Sequence, residues 1–347
     1  MSLNKFITYC GICFGSEPCS NELSYFEVAN NLAIKSHFGE SISRLAKNIN
    51  AAIEIEDMLI NGINSMPLHI ASKYMEKLHR VIYPYILLHY KPSYKMSVTD
   101  PIGRSLLSIC SKVYEKMGNC GIKIKAPNIE EFPGSYSDIN YPEIVQTAIV
   151  TVKSKFDEFH CTGYYMAAGS LVNVTVLEGS ISGWELRVSS HVDDISSSHQ
   201  LNRWPIVSLS MKLKKFMTIT SAFGGIIYLD SPKGNCTIRL KLENVIETPF
   251  YDLNLPETIK NWNHNSKSAG LWAELCGKHV VFTCPSQFIR NIADPSKILK
   301  LWDLIVIANH ELRGTDVKGT WRERIVVDIQ PFNSTLHSGY PITIPYG

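Results

Sequence analysis

The period of the apolar residues changes once along this 347-residue chain, and that change constrains the fold more than any other feature. Up to Met117 apolar side chains recur every three or four residues, the spacing that places them on one face of a helix. Ile42, Leu45, Ile49, Ile53, Leu59 and Ile63 form one such stripe, and Leu68, Ala71, Met75, Leu78 and Ile82 form a second after Pro67. A third helix is punctuated at both ends: Asp100 stands at its N-cap, Pro101 at its first position and Gly118 at its close. From Ala148 the pattern is that of strands. Ala148–Val152, Leu171–Val176, Glu185–Val188 and Cys236–Leu242 are short and rich in β-branched residues. In the last of these, Ile238, Leu240 and Leu242 alternate with Arg239 and Lys241, which predicts one dry face and one wet. Pro127, Pro133, Gly134 and Pro142 cluster between the two regimes.

After Tyr251 helical spacing returns. Asp294 and Pro295 open a helix in which Ile298, Leu301, Trp302, Ile305 and Ile307 are expected to be buried, and Arg324–Gln330 reads as a strand with its apolar surface left uncovered. The expectation is an α+β chain. A helical domain at 22–118 is followed by a linker at 119–147, a β-sandwich at 148–250 and, at 251–347, the first part of a mixed α/β domain.

Charge and cysteine usage narrow the partners. With 34 basic and 32 acidic residues the formal charge is +2, so neither nucleic acid nor an anionic membrane surface is indicated, and no apolar run is long enough to span a bilayer. Nine irregularly spaced cysteines read as free thiols of a reducing compartment. Cys10 and Cys13 form a lone pair without the second pair that a tetrahedral zinc site requires. Lys5 and the short apolar stretch Phe6–Phe14 have the form of a weak signal peptide. The expected location is therefore cytoplasmic, with secretion as the alternative.

A series of short segments carries a family resemblance. In order they are Cys161-Thr-Gly-Tyr-Tyr-Met-Ala-Ala-Gly169, Arg187-Val-Ser-Ser-His-Val-Asp-Asp194, Phe223-Gly-Gly-Ile-Ile-Tyr-Leu229, Thr248-Pro-Phe-Tyr251, Gly270-Leu-Trp-Ala-Glu-Leu275, Leu299-Lys-Leu-Trp-Asp303 and His337-Ser-Gly-Tyr-Pro-Ile342. Their order and spacing over residues 150–347 resemble those of the enhancin-like metallopeptidases, peptidase family M60, and among these the animal TRP channel-associated factors. The resemblance implies a mixed metallopeptidase-like domain and a zinc site on an HExxH helix, where two histidines one turn apart hold the metal beside a glutamate base. That helix is expected beyond Ile342 and the chain ends at Gly347, so zinc is expected only where such a helix exists.

Several residues invite chemistry. The sequence has one His-Glu pair, His310-Glu311, and a zinc-binding motif would need His where Gly314 stands. His191, Asp193 and Asp194 could contact a cation or glycan, or could close a strand in a turn where Asp bonds its own backbone. Trp184 and Trp204 are candidates for a binding face, and Trp272 and Trp302 for the core. His337 and Tyr340 complete the candidate set through the resemblance. Gly224-Gly225 precedes a strand and lacks the lysine of a phosphate loop, so a tight approach between strands is expected. Two readings compete: an enzyme part of a zinc peptidase acting on glycoproteins, and a non-enzymatic protein that binds a protein or glycoprotein partner such as a membrane channel. A glycan-binding sandwich is a third. For these 347 residues, without HExxH, the expectation is no catalysis.

Overall fold

The computed structural model describes residues 37–93, 95–331 and 339–346. They divide into two compact units. One takes the described residues up to Ile122 and also Asp193–Ile206; the other takes Lys123–Val192 and those from Val207 onward.

The first unit is helical, built on α1 (Phe38–Lys47), α2 (Ala52–Ser65), α3 (Leu68–His89) and α4 (Pro101–Asn119). The first apolar stripe breaks where sequence spacing suggested continuity. Asn48 is extended and its side chain accepts from the Asn50 amide at 3.1 Å, opening a 3-10 turn over Ile49–Ala51. Three residues per turn instead of 3.6 shift the phase of α2. Ala52, Ile55, Leu59 and Ile63 therefore face inward, and Ile53, expected in the stripe, is 52 % exposed. Helix α3 runs past Pro84 to His89 at the loss of one backbone bond, adding Ile86 to its buried face while Leu68 stays outside. Helix α4 starts as expected, with an Asp100 carboxylate oxygen accepting from the Gly103 amide at 2.8 Å, and packs on both α2 and α3. The segment Asp193–Ile206 completes this unit: Leu201 exchanges two backbone hydrogen bonds with Val98, and the buried Trp204 ring meets Tyr114 at 5.5 Å.

The second unit holds three sheets. Strands β1 (Ala148–Ser154), β8 (Cys236–Glu243), β3 (Val172–Glu178) and β6 (Phe216–Ile219) form one, in the order β1-β8-β3-β6. Strands β5 (Leu209–Lys212), β4 (Glu185–Val188), β7 (Gly225–Asp230), β2 (Phe159–Met166) and β9 (Ile246–Glu247) form the second, in that order. Their inner faces share one core, in which Val174 and Leu240 of one sheet pack with Leu186 and Ile227 of the other. The expected alternation in β8 holds: Ile238, Leu240 and Leu242 are buried. The third sheet is mixed and runs β10 (Phe250–Asp252), β11 (Trp272–Cys276), β12 (Val280–Pro285), β13 (Glu323–Asp328), β14 (Ile342–Pro345). Short helices α5 (Pro256–Lys260) and α6 (Trp262–Asn265) come after β10, and the long helix α7 (Ser296–Arg313) packs against β12. The architecture is α+β, as the change of period predicts.

The stretch 119–147, read as a linker, is packed over its middle and exposed beyond it: Ala126, Ile129 and Phe132 are buried and Trp272 Nε1 donates to the Pro133 carbonyl at 2.6 Å, while residues 137–141 are exposed. Proline and glycine punctuate an irregular packed segment as well as an exposed one, provided its backbone groups find partners. Strand β13 is paired on both edges by β12 and β14, and Ile325 and Val327 on one of its faces stay part-exposed. Helix α7 turns a different face inward from the one expected. It buries Leu299, Asp303, Val306 and His310, and leaves Ile298, Leu301 and Ile305 exposed. At Gly224-Gly225 the expected close approach is present: a Cβ on Gly225, whose φ is +143°, would lie 2.8 Å from the Ser189 amide nitrogen.

Candidate binding cleft

A buried ion pair ties the mixed sheet to the sandwich. Arg324 on β13 is 0 % exposed; its guanidinium donates to Glu274 on β11 at 2.6 Å and to the Phe159 carbonyl at 2.9 Å. Glu274 also accepts from the Tyr228 hydroxyl at 2.7 Å and from Thr283 at 3.1 Å. The guanidinium lies over the Phe159 ring, 4.2 Å from its centre. Burial works against the arginine's charge, but Glu274 outweighs it and holds the pKa well above the usual value.

Beside this lock lies a cleft of 740 Å³, walled by β1, the start of β2, β10 and the residues that precede β13. Its floor is Arg322, which donates to Asp252 at 2.8 Å and sits 3.6 Å from Glu158. Both carboxylates of the cleft are thus committed to one cation. Around the rim stand Lys153, Lys155, Lys278 and Lys318, all exposed, and none has a carboxylate partner among the described residues. Asp303 on α7 fixes the far wall by accepting from the Lys278 and His279 amides at 2.9 and 2.7 Å. The two histidines carry no charge at neutral pH. Burial, then the charges of Arg322 and Arg324, push His160 down to about 3. Burial foremost, with Lys278 and Lys318 contributing, also lowers His279. The net charge of the cleft is therefore positive and lies on its rim.

His160 lines the cleft and meets the buried Ser231 without forming a nucleophile. His160 Nε2 is 3.3 Å from Ser231 Oγ, and Glu158 Oε1 lies 4.0 Å from the same nitrogen. A Ser-His-carboxylate relay needs the acid on the other ring nitrogen. Ser231 Oγ is also within 2.7 Å of the Phe156 carbonyl, to which it donates.

The residues singled out in the sequence have other tasks. His191 is buried, with Nε2 donating to the Val327 carbonyl at 2.9 Å and Nδ1 3.1 Å from Ser189 Oγ, between the rings of Phe132 and Trp272. Asp194 closes a turn by accepting from the Ser196 amide and hydroxyl at 3.0 and 2.6 Å, and pairs with Lys112 at 3.4 Å. Burial pushes its carboxyl up, but these bonds and Lys112 prevail and hold it below the usual value. Asp193 is half-buried and belongs with Asp194 to the helical unit, whereas His191 belongs to the β unit. Trp184 lies in the sandwich core and Trp204 in the helical unit, so neither offers a ring face to a ligand. Tyr340 packs on Phe159 and Trp321 at 5.5 and 5.9 Å. His337, Cys10 and Cys13 lie outside the described residues. The cleft escaped the sequence reading because its lysines come from separate stretches, none of them a motif.

The sequence's one His-Glu pair, His310-Glu311, does not form a zinc site. His310 is buried at the last turn of α7 with Nδ1 2.8 Å from Thr315 Oγ1, and the helix stops at Gly314, which takes a left-handed conformation where the second histidine would stand. Among the described residues no three His, Cys, Asp or Glu side chains gather as metal ligands.

Residues 144–243 match the N-terminal domain of M60-like peptidases, and residues 244–346 match peptidase M60, enhancin and enhancin-like. The chain is 28 % identical over 196 residues to a TRPM8 channel-associated factor homolog of Danio rerio, covering 55 % of this chain and 21 % of that protein. It is 29 % identical over 192 residues to TRPM8 channel-associated factor 2 of Mus musculus, covering 54 % and 21 %. It thus spans about one fifth of the length of these relatives. Among solved structures, the IMPa metallopeptidase from Pseudomonas aeruginosa shares the fold at a TM-score of 0.50 and 12 % identity, covering 99 % of this chain and 42 % of that one. Through the adjoining matches over residues 144–346, the chain belongs to the M60, enhancin-like peptidase family.

Proposed function

We propose that this chain is a non-catalytic binding protein of the M60 family, acting on a membrane channel from the cytoplasmic side, as the relatives named for TRPM8 suggest. The observation that carries the reading is the match of more than half of the chain to proteins named as channel-associated factors. Among the described residues no three His, Cys, Asp or Glu side chains gather as metal ligands, and His310-Glu311, followed by Gly314 where a second histidine would stand, offers no seat for a zinc-bound water. No helix among the described residues is long and apolar enough to cross a membrane, so contact with a channel would be made by a protein surface. A glycan-binding sandwich finds no support, since Trp184 and Trp204 are both buried.

Two measurements on the full chain test this. Incubated with zinc and a mucin-type glycoprotein, it is expected to give no chelator-sensitive cleavage above a mock purification. Co-expressed with TRPM8, it is expected to co-precipitate with the channel. Chelator-sensitive cleavage would overturn the non-catalytic reading, and absence from the precipitate would overturn the channel reading.

A further inference from the structure

We propose that the cleft is a docking site for an extended acidic peptide, which adds as a strand to the open edge of β1 while its carboxylates meet the lysine rim. The inference deepens the protein-binding reading and rests on it only for the partner's identity.

The edge is defined by register. Val145 and Val245 exchange two backbone hydrogen bonds, at 2.7 and 3.1 Å. The same ladder continues without a shift through Ala148 opposite Leu242 and Val152 opposite Ile238. Bonded and non-bonded pairs alternate along an antiparallel ladder. Ile149, Thr151 and Lys153 therefore turn their amides and carbonyls toward β8, and Val150 and Val152 turn theirs the other way. On that side β1 has no neighbouring strand, and neither residue makes a backbone hydrogen bond there among the described residues. Thr151–Ser154 of this edge line the cleft.

The edge and the rim together select the occupant. A strand edge offers donors and acceptors in alternation at the spacing of a peptide backbone, which an extended peptide satisfies on both counts and a sugar chain does not. Among the described residues the four rim lysines have no carboxylate partner, and the carboxylates of the cleft itself are held by Arg322. A second copy of β1 is a poor occupant, because Lys153 would bring like charge to the pairing. Side chains alternate along a strand. The fitting sequence has acidic residues at every second position, on the face of exposed Thr151 and Lys153, with apolar residues between them on the face of Val150 and Val152.

The probe is a fluorescein-labelled peptide of alternating glutamate and valine, added to the full chain at low salt and read by anisotropy. Saturable binding is expected. Methylating every second amide nitrogen of the peptide keeps its charge but removes its edge donors, and is expected to weaken binding about tenfold. Combining the exposed changes Lys153→Ala, Lys278→Ala and Lys318→Ala is expected to weaken it about tenfold as well. Equal affinity for the methylated peptide would reduce the contact to charge alone and overturn strand addition. No binding, or binding indifferent to the lysines, would overturn the site. A sulfated oligosaccharide that binds where the peptide does not would replace the peptide by a glycan. A lysine variant that loses the peptide yet still co-precipitates with TRPM8 would place the channel contact elsewhere and leave the peptide site standing.

Discussion

A guanidinium stays charged even when shut off from water, so its burial needs a carboxylate in reach to offset the lost hydration, and for Arg324 that carboxylate is Glu274. Removing one partner of such a pair strands the other. Glu274→Gln is therefore expected to cost about 3–5 kcal/mol of stability, whereas joining Glu274→Leu to Arg324→Met is expected to recover most of the loss. Urea denaturation followed by tryptophan fluorescence measures both. A loss below about 1 kcal/mol for the single change would mean that water reaches the pair. Neither partner announced this role in the sequence. Glu274 lay in one of the segments that carry the resemblance and Arg324 at the head of a strand, but their meeting depends on how β11, β12 and β13 line up. His191 shows the converse: its neighbours Asp193 and Asp194 made it look chemical, and its buried ring joins Val327, Phe132 and Trp272, all remote in sequence.

Elements declared by local chemistry were legible, and elements whose phase depends on neighbours were not. Helix α4 needs only Asp100 to cap it and Pro101 to start it, and both lie within its first turn. Strand β8 needs only its own alternation. The inward face of α2 depends instead on the turn at Asn48, and that of α7 on which side of the helix the mixed sheet covers. Apolar residues recur around most of α7, so their spacing alone does not choose the face. The structure chooses Leu299, which is 0 % exposed, over Leu301, which is 53 % exposed. Leu299→Ala is expected to cost about 2–5 kcal/mol, the range for emptying a packed leucine site. Leu301→Glu is expected to stay within about 0.5 kcal/mol of the parent. Thermal and chemical denaturation of the two variants separate the faces, and the reverse order would restore the face read from spacing.

At the scale of the whole chain, the units are not consecutive in sequence: the backbone leaves the helical unit after Ile122, returns for Asp193–Ile206 and leaves again. The excursion leaves no mark in the apolar period, because a segment beginning Asp193-Asp194-Ile-Ser-Ser reads as a polar loop between strands. Its buried members, Leu201 and Trp204, belong to the helical core through Val98 and Tyr114. A fragment beginning at Lys123 therefore carries a piece of the other unit's core without the helices that cover it. That fragment is expected to self-associate, because a bare tryptophan and leucine on a short segment form an adhesive patch. Trp204→Ser together with Leu201→Ser is expected to act in opposite directions in the two contexts. In the full chain the pair destabilises, Trp204 alone accounting for about 3–5 kcal/mol. In the fragment it restores a monodisperse species. Size-exclusion chromatography with light scattering reads the fragment, and urea denaturation reads the full chain. An unmodified fragment that stays monomeric at high concentration would show that Asp193–Ile206 finds cover within the β unit, and the division of the chain would have to be redrawn with that segment on the other side.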